Sequence, residues 1–337
     1  MVKKSLCGLS ADDIYEIVGP SGFTARHSVL IANSIYKRRI SDISQFDKIP
    51  KKLKELLNSI SVSGINLPGS SVVSKDNSVK YLFRTGTGKE FETVYIPDKK
   101  RNTVCVSTQS GCRMGCSFCA TAKYGFNGNL TAGEILNQII SIPHSEKVTH
   151  VVFMGMGEPM DNLENVLKAC FIITSEWGLA LSSKNITVST VGIMPEVEQF
   201  LRRSEYNLAL SLYSLFTEER KKVVPAEIRY PGRQIIELMK AFPAIKKRRL
   251  SIAYIMFKGI NDTDQHLEEL ISVLKDSEIR VNLLPYHPIL NDKQCSSSEE
   301  RMQFFKHKLI TSGISASVRK SRGADISAAC GLLAANH

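Results

Sequence analysis

The stretch Cys112-Arg113-Met114-Gly115-Cys116-Ser117-Phe118-Cys119 places three cysteines in one short loop with the spacing C-x3-C-x2-C. A structural zinc site closes a tetrahedron with four protein ligands, usually as paired C-x2-C knuckles, so a single loop with three thiols falls one short. A cubane iron–sulfur cluster has four irons, and three cysteines leave one iron open to a small molecule. The flanking residues make the loop part of a strand–loop–helix unit. Upstream, the β-branched run Thr103 to Thr108 reads as a strand. Downstream, Thr131-Ala132-Gly133-Glu134 is a capping box that opens a helix with Ile135, Leu136, Ile139 and Ile140 on its apolar face.

Working outward, the unit repeats. Short apolar runs at Val148 to Met154, Ile186 to Ser189, Leu208 to Leu212, Leu250 to Met256 and Val281 to Leu284 read as buried parallel strands, and Ile314 to Val318 can form a last one. Asp262 with Gln265, and Ser297 with Glu300, are the expected starts of two later helices. About six strand–helix units predict an α/β fold: a partial, open (β/α)6 barrel with a parallel sheet and right-handed crossovers. Ligands of such sheets bind beyond the carboxyl ends of the strands. The cysteine loop, Gly155-Met156-Gly157-Glu158-Pro159, Ser189, Ser211 to Ser214 and Tyr286-His287 all follow strand ends, so they are expected to face one cavity.

Ahead of this core (103–337), residues 1–75 read as a small helical unit. One helix carries Val29, Leu30, Ile31, Ile35 and Tyr36 and ends in Lys37-Arg38-Arg39, and a second follows Pro50 with Leu53, Leu56 and Leu57 on one face. Residues 76–102 read as a β connector with strands Val79 to Thr85 and Glu90 to Ile96. A length of 337 residues suits one large α/β domain with a small appendage. No apolar run is long enough to span a membrane, and Met1-Val2-Lys3-Lys4-Ser5 lacks the apolar core of a signal peptide, so a cytoplasmic protein is expected. That compartment is reducing, which favours metal or catalytic roles for the 8 cysteines over structural disulfides.

The net charge of +11, from 44 Lys+Arg against 33 Asp+Glu, is concentrated in clusters. They are Lys37-Arg38-Arg39, Lys51-Lys52 with Lys54, Lys99-Lys100-Arg101, Lys246-Lys247-Arg248-Arg249, and Arg319-Lys320 with Arg322. Folding can gather such clusters into a phosphate-binding surface, or leave them as solvated helix ends and loops. Gly155-Met156-Gly157-Glu158-Pro159 lacks the third glycine of a dinucleotide fingerprint. Its glycines let a ligand approach a strand end, and Glu158 can hold an ammonium group.

Cys-x3-Cys-x2-Cys after a first strand, with Gly-Glu-Pro after the second, resembles the radical S-adenosylmethionine (SAM) enzymes. Further stretches resemble the RlmN/Cfr family of RNA adenine methyltransferases: Glu92-Thr93-Val94-Tyr95-Ile96-Pro97, Cys105-Val106-Ser107, Gly111 to Ala122, Met154 to Pro159, and Arg322 to Gly331 around Cys330. The resemblance implies that Cys112, Cys116 and Cys119 hold a 4Fe–4S cluster whose open iron chelates SAM. It implies a SAM site lined by Gly157, Glu158, Ser189, Ser211, Leu212, Tyr213 and His287. Cys330 would accept a methyl group from one SAM, and a second SAM would supply the radical that activates it. Cys105 would resolve the protein–RNA adduct through a transient disulfide with Cys330, and Glu92 would accept a proton. The implied substrate is a ring carbon of an adenosine in 23S rRNA and/or tRNA, and the implied partners are RNA and a reductant such as flavodoxin or ferredoxin.

The chain departs from the family pattern at three places. Ser211-Leu212-Tyr213 stands for Ser-Leu-His, Tyr286-His287-Pro288 for Trp-Asn-Pro, and Pro225-Ala226-Glu227 for Pro-Ile-Asn. These departures leave the RNA and the ring carbon open. They also keep two other readings in view: a radical SAM enzyme acting on a protein or small molecule, and a basic RNA-binding protein with a structural metal.

Overall fold

The computed structural model describes residues 3–242, 248–289 and 292–334. Among the described residues ten strands form one sheet whose spatial order is their chain order. They are β1 (Ser70–Val73), β2 (Val79–Arg84), β3 (Glu90–Ile96), β4 (Thr103–Cys105), β5 (His150–Phe153), β6 (Ile186–Thr190), β7 (Asn207–Leu212), β8 (Leu250–Met256), β9 (Arg280–Pro285) and β10 (Ala316–Val318). The pairs from β4 to β10 are all parallel, whereas β1 to β4 pair antiparallel. The expected barrel is therefore present as β4 to β9, with β10 a short seventh parallel strand at an open edge.

Parallel strands between helices are buried on both faces, and their sequences show it: β7, Asn-Leu-Ala-Leu-Ser-Leu, is buried at every position but Ser211. Between β4 and β5 the chain returns through the helix Ala132–Ile140. Its capping box forms as expected, with Thr131 N donating to Glu134 Oε2 at 2.8 Å and Glu134 N donating to Thr131 Oγ1 at 3.2 Å. The other two expected helix starts shift. Those helices run Asp264–Leu274 and Glu299–Thr311, capped at Thr263 and Ser298. Asp262 and Ser297 instead bond to each other, and Asp262 Oδ1 accepts Gly259 N at 2.8 Å. A carboxylate and a hydroxyl that satisfy one another across a loop are no longer free to cap a helix.

The N-terminal unit contains the two expected helices, at Ala25–Tyr36 and Lys51–Ile60, and an additional one at Ala11–Val18. The connector begins earlier than expected, because β1 lies at Ser70–Val73 and joins the same sheet as the barrel. One continuous apolar core runs from Leu6 and Ile14 through the barrel helices to Leu333. Of the basic cluster at 246–249, Lys246 and Lys247 lie outside the described residues. Among the described residues no helix is long and apolar enough to cross a membrane.

Residues 319–334 close the open side of the barrel. This segment leaves β10, reaches the β1–β2 turn through Arg322 and Asp325, and ends on β3, where Ala334 N donates to Glu92 Oε2 at 3.0 Å. It carries Cys330 across the barrel mouth.

Candidate active site

The strand ends meet at a cavity of about 150 Å³, lined by Cys112, Cys116 and Cys119 on one side and by Gly157, Glu158, Ser189 and Ser211 on the other. A second cavity of about 230 Å³ lies in the barrel lumen, with Cys105, Thr187, Ala209 and Asn282 on its walls. Cys330, with Met154, Ala253, Leu284 and Leu333, lines both cavities. The fold thus sets Cys330 at the boundary between the three-cysteine loop and Cys105.

The loop is held from three directions. Cys112 N donates to Gly125 O at 2.9 Å, Ser117 N to Val223 O at 3.0 Å, and Ala120 N to Gly331 O at 2.8 Å. Burial pushes the Cys112 thiol up to about 12, and the neighbouring Glu158, Cys119 and Asp161 push the same way. Cys116 is raised further, by burial and then by Cys119 and Cys112. Cys112 and Cys116 are thus raised by burial and by neighbouring thiol and carboxyl groups, and a bound positively charged centre would favour their thiolate forms. Among the described residues no three His, Cys, Asp or Glu side chains converge as on a single ion. Three cysteines in one loop match the three protein thiolates of a cubane with an open iron and fall one short of a structural zinc site.

Glu158 is buried at the end of β5, and its carboxylate reaches across to β6. Its Oε1 accepts Met160 N at 3.0 Å and its Oε2 accepts Val191 N at 2.9 Å. Burial raises its pKa to about 7, against the lowering effect of bonds from Thr190, Val191 and Met160. The preceding Gly157 has φ +99°, and a Cβ there would lie 2.6 Å from the Gln109 side chain, so the turn that aims Glu158 requires glycine. Ser189 and Ser211, on adjacent strands, share a hydrogen bond at 3.1 Å on the cavity wall.

Three of the expected SAM-site residues do not line this cavity. Leu212 alternates outward from Ser211 and lies beside Gly232. Tyr213 is buried in an aromatic column, 6.4 Å from Phe118 and 5.3 Å from Phe257, with Phe257 stacked on Tyr286 at 4.2 Å. His287 lines the lumen cavity, where its Nε2 pairs with Ser321 Oγ at 2.6 Å. Glu92 is separate from both cavities. Its Oε1 pairs with Lys80 Nζ at 2.8 Å and its Oε2 holds Ala334 N, in a groove on the outer side of the C-terminal segment. Glu227, the third departure, forms a buried ion pair with Arg220, whose guanidinium also donates to Val191 O and Ser211 O at the strand ends.

All eight cysteines are free, so no disulfide joins Cys105 to Cys330 in this structure. Burial pushes the Cys105 thiol far up, and the nearby Cys330 adds to the effect. Cys330 keeps solvent-accessible surface, which opens on the two cavities, while the protein atoms packed around its thiol raise its pKa. Cys170 is buried in the helix Leu163–Thr174 and Cys295 is exposed on a loop, both away from the cavities.

Sequence reasoning did not single out Gln109, which orders the site. Its Oε1 accepts Glu158 N at 2.9 Å, while its Nε2 donates to Asn129 Oδ1 and Asp161 Oδ2. The available signal was a buried glutamine just ahead of the cysteine loop, where a strand end would otherwise be apolar.

This fold and this site define a radical SAM enzyme, and residues 106–274 match the family model for the Radical SAM superfamily. Members of that superfamily use a 4Fe–4S cluster and SAM. Within it, the chain belongs to the RlmN family of dual-specificity RNA methyltransferases. It is 42% identical over 331 residues to the probable dual-specificity RNA methyltransferase RlmN of Phocaeicola vulgatus, covering 98% of this chain and 95% of the relative. With the dual-specificity RNA methyltransferase RlmN of Geobacter sulfurreducens it shares 35% identity over 326 residues, 97% and 91% of the two chains. The crystal structure of a radical SAM methyltransferase from Sphaerobacter thermophilus matches with a TM-score of 0.92 at 34% identity, covering 99% of this chain and 100% of that one.

Proposed function

We propose that this chain methylates a ring carbon of an RNA adenosine, with Cys330 as the methyl carrier and Cys105 as the resolving thiol. The observation that carries the reading is the placement of Cys330 on the wall shared by the two cavities. A carrier must meet the methyl donor on one side and the acceptor and resolving thiol on the other, and the shared wall allows both.

In this reading Cys112, Cys116 and Cys119 hold the cluster, and Gly157, Glu158, Ser189 and Ser211 bind SAM beside it. Glu158 supplies the carboxylate for the SAM ammonium. When bound there and given an electron by a small carrier such as flavodoxin or ferredoxin, such a cluster with SAM would supply a hydrogen-abstracting radical. Cys330, once deprotonated, displaces the methyl group of one SAM and becomes S-methylcysteine. Once a hydrogen has been taken from that methyl group and its carbon has bonded to the adenine ring, Cys105 as thiolate would attack the Cys330 sulfur. The sulfur–carbon bond breaks, its electron pair leaves with the carbon on the base, which takes up a proton to become methyl, and the two sulfurs remain as a disulfide. An external reductant then restores both thiols, which suits a reducing cytosol. For Glu92 to take a proton in this sequence, Ala334 must first leave its carboxylate.

The basic surface supports RNA as the substrate. Arg101, Arg249 and Arg319 come from three separate sequence clusters, yet Arg101 lies within the charge field of the other two. Burial lowers the Arg101 pKa, and the charges of Arg319 and Arg249 lower it further, with only Asp98 opposing. Among the described residues none of the three forms an ion pair within 4 Å, and Arg101 and Arg319 border the lumen cavity. Cations gathered without carboxylate partners are what a phosphate backbone neutralises. Residues 1–75, with exposed Lys37 and Lys52, would extend the RNA contact as an N-terminal domain, with 76–102 as the connector to the 103–337 core.

The test is mass spectrometry of Cys330 peptides and of RNA nucleosides after anaerobic cluster reconstitution. A methyl group on Cys330 and a methyladenosine in the RNA are expected. An active cluster that leaves Cys330 unmethylated would overturn the carrier role, and methylation of a protein or small molecule alone would overturn the RNA reading.

A further inference from the structure

Cys330 sits in a segment that belongs to no strand or long helix, so something other than the sheet must set its position. Residues 319–334 bury few large side chains, with Ala328, Ala329, Leu333 and Ala334 the buried ones. Their polar contacts are many, and most of those made by residues 322–325 go to one place, the turn between β1 and β2. Arg322 Nε donates to Asp76 Oδ2 at 3.0 Å, and its NH2 donates to Asp76 O at 2.9 Å and to Pro97 O at 3.0 Å. Gly323 N donates to the same Asp76 Oδ2 at 2.9 Å. Asp325 reaches back, accepting Ser74 Oγ at 2.6 Å and Lys75 N at 3.0 Å. The turn is itself rigid: Asp76 Oδ1 accepts Ser78 N at 2.9 Å, and Ser74 N donates to Ser78 O at 2.8 Å.

The chain between this contact and Cys330 is also fixed. Gly323 has φ +65°, and a Cβ there would lie 2.9 Å from Ala328 Cβ, so a tight turn folds residues 323–328 onto themselves. Ala328 N closes it by donating to Gly323 O at 2.8 Å. Beyond Cys330, Thr121 Oγ1 donates to Leu333 O at 2.6 Å, tying the segment to the helix that follows the cysteine loop. Charged hydrogen bonds with fork geometry are both strong and directional, so they hold a position that a few alanines cannot.

We propose that Asp76, Arg322 and Asp325 form a clasp that places the Cys330 thiol between the two cavities, and so act as positioning residues for methyl transfer onto and from that thiol. The proposal rests on Cys330 being the methyl carrier. It gives Arg322-Gly323-Ala324-Asp325 a role ahead of the cysteine: the motif binds the β1–β2 turn, and Asp325 lines neither cavity. In the first transfer the Cys330 sulfur loses its proton to solvent and forms the new S–C bond as the methyl–sulfonium bond of SAM breaks. S-adenosylhomocysteine leaves with that electron pair. This displacement needs the thiolate in line with the methyl group, so an error of an ångström in the segment costs rate without affecting SAM binding.

The test compares wild type, Asp325→Ala, Asp325→Asn and Asp76→Ala in the full-length, cluster-loaded enzyme. Three quantities are read: methyl occupancy of Cys330, reductive cleavage of SAM to 5′-deoxyadenosine in the absence of RNA, and hydrogen exchange of peptides covering 319–334. In Asp325→Ala and Asp76→Ala the methylation rate of Cys330 is expected to fall at least tenfold, with faster exchange confined to 319–334 and SAM cleavage within twofold of wild type. Asp325→Asn keeps an acceptor for Lys75 N and is expected to recover most of the loss, which a general folding defect would not allow. Wild-type methylation rates in both alanine variants would overturn the clasp while leaving the carrier reading intact. Loss of SAM cleavage together with exchange throughout the barrel would overturn the positioning role in favour of a structural one. A wild-type enzyme with active cluster and no methyl on Cys330 would overturn the carrier reading, and the clasp's role with it.

Discussion

The two sides of the candidate active site are held by different physics. On the strand-end side, Ser189 and Ser211 lie within paired strands of the parallel sheet, and Glu158, in the loop beyond β5, is tied to that sheet end by Gln109, Met160 and Val191. On the C-terminal side, Cys330 is carried by a segment that side-chain bonds tie to the cysteine loop and to the β1–β2 turn. A binding wall gains from rigidity, because preorganised donors lose nothing on reaction. A residue that borders two cavities at once must be held in place without a strand of its own, and side-chain bonds to distant segments supply that hold more locally than a sheet does. The difference teaches that one cavity can combine a wall set by the sheet with a thiol placed by side-chain bonds.

The largest expected effect tests the fixed side. Cys112→Ala should reduce iron content and 5′-deoxyadenosine formation to background while circular dichroism stays that of the folded chain, since a strand-end loop can lose a ligand without losing the sheet. Normal SAM cleavage by this variant would remove Cys112 from the donor set. On the carrier side, Cys330→Ala should cost RNA methylation more than about a thousandfold, as removal of a covalent nucleophile does. Cys105→Ala should leave Cys330 methylated and accumulate a protein–RNA conjugate, seen as a slow band on denaturing gels. If no conjugate forms beside an active wild-type control, Cys105 is not the resolving thiol.

A smaller effect is expected at Glu158. Replacement by Gln should weaken SAM binding about tenfold or more, as loss of a charged hydrogen bond does. The pH dependence follows from a carboxyl raised by burial to about 7. The ionised form binds the ammonium, so affinity is full above that value and falls as pH drops through it. Calorimetry across that range should show the fall in wild type and a flat profile in Glu158→Gln. Equal slopes would assign the titration to another group. The smallest effect tests the carrier segment: Ser321→Ala removes only the bond to His287, worth about 1 kcal/mol, and should change turnover less than about fivefold. A hundredfold loss would mean that the segment depends on this end as much as on the clasp.

Much of this molecule can be read from its residues. The parallel strands are visible because strands buried on both faces must be apolar throughout, and the run Leu208 to Leu212 differs from the observed β7 by one residue. The cysteine triad is visible because cluster ligands come from one loop, so their spacing is local. The starts at Asp262 and Ser297 were misplaced by one or two residues, because each side chain found the other across the fold. Tyr213 and His287 follow strand ends and were expected in the SAM cavity. One instead joined an aromatic column and the other the lumen, since period and loop position do not say which neighbour a ring will pack against.

By itself the sequence determined the open parallel barrel, the three-cysteine loop and its place beyond a strand end. All three rest on short-range patterns of hydrophobicity and donor spacing. Only the tertiary structure decided that Cys330 lines two cavities, that Asp76 and Asp325 meet some 250 residues apart in sequence around one turn, and that Arg101 and Arg319 border the same lumen cavity. Those facts depend on contacts between distant segments, which the packing of the whole chain creates and no local pattern encodes.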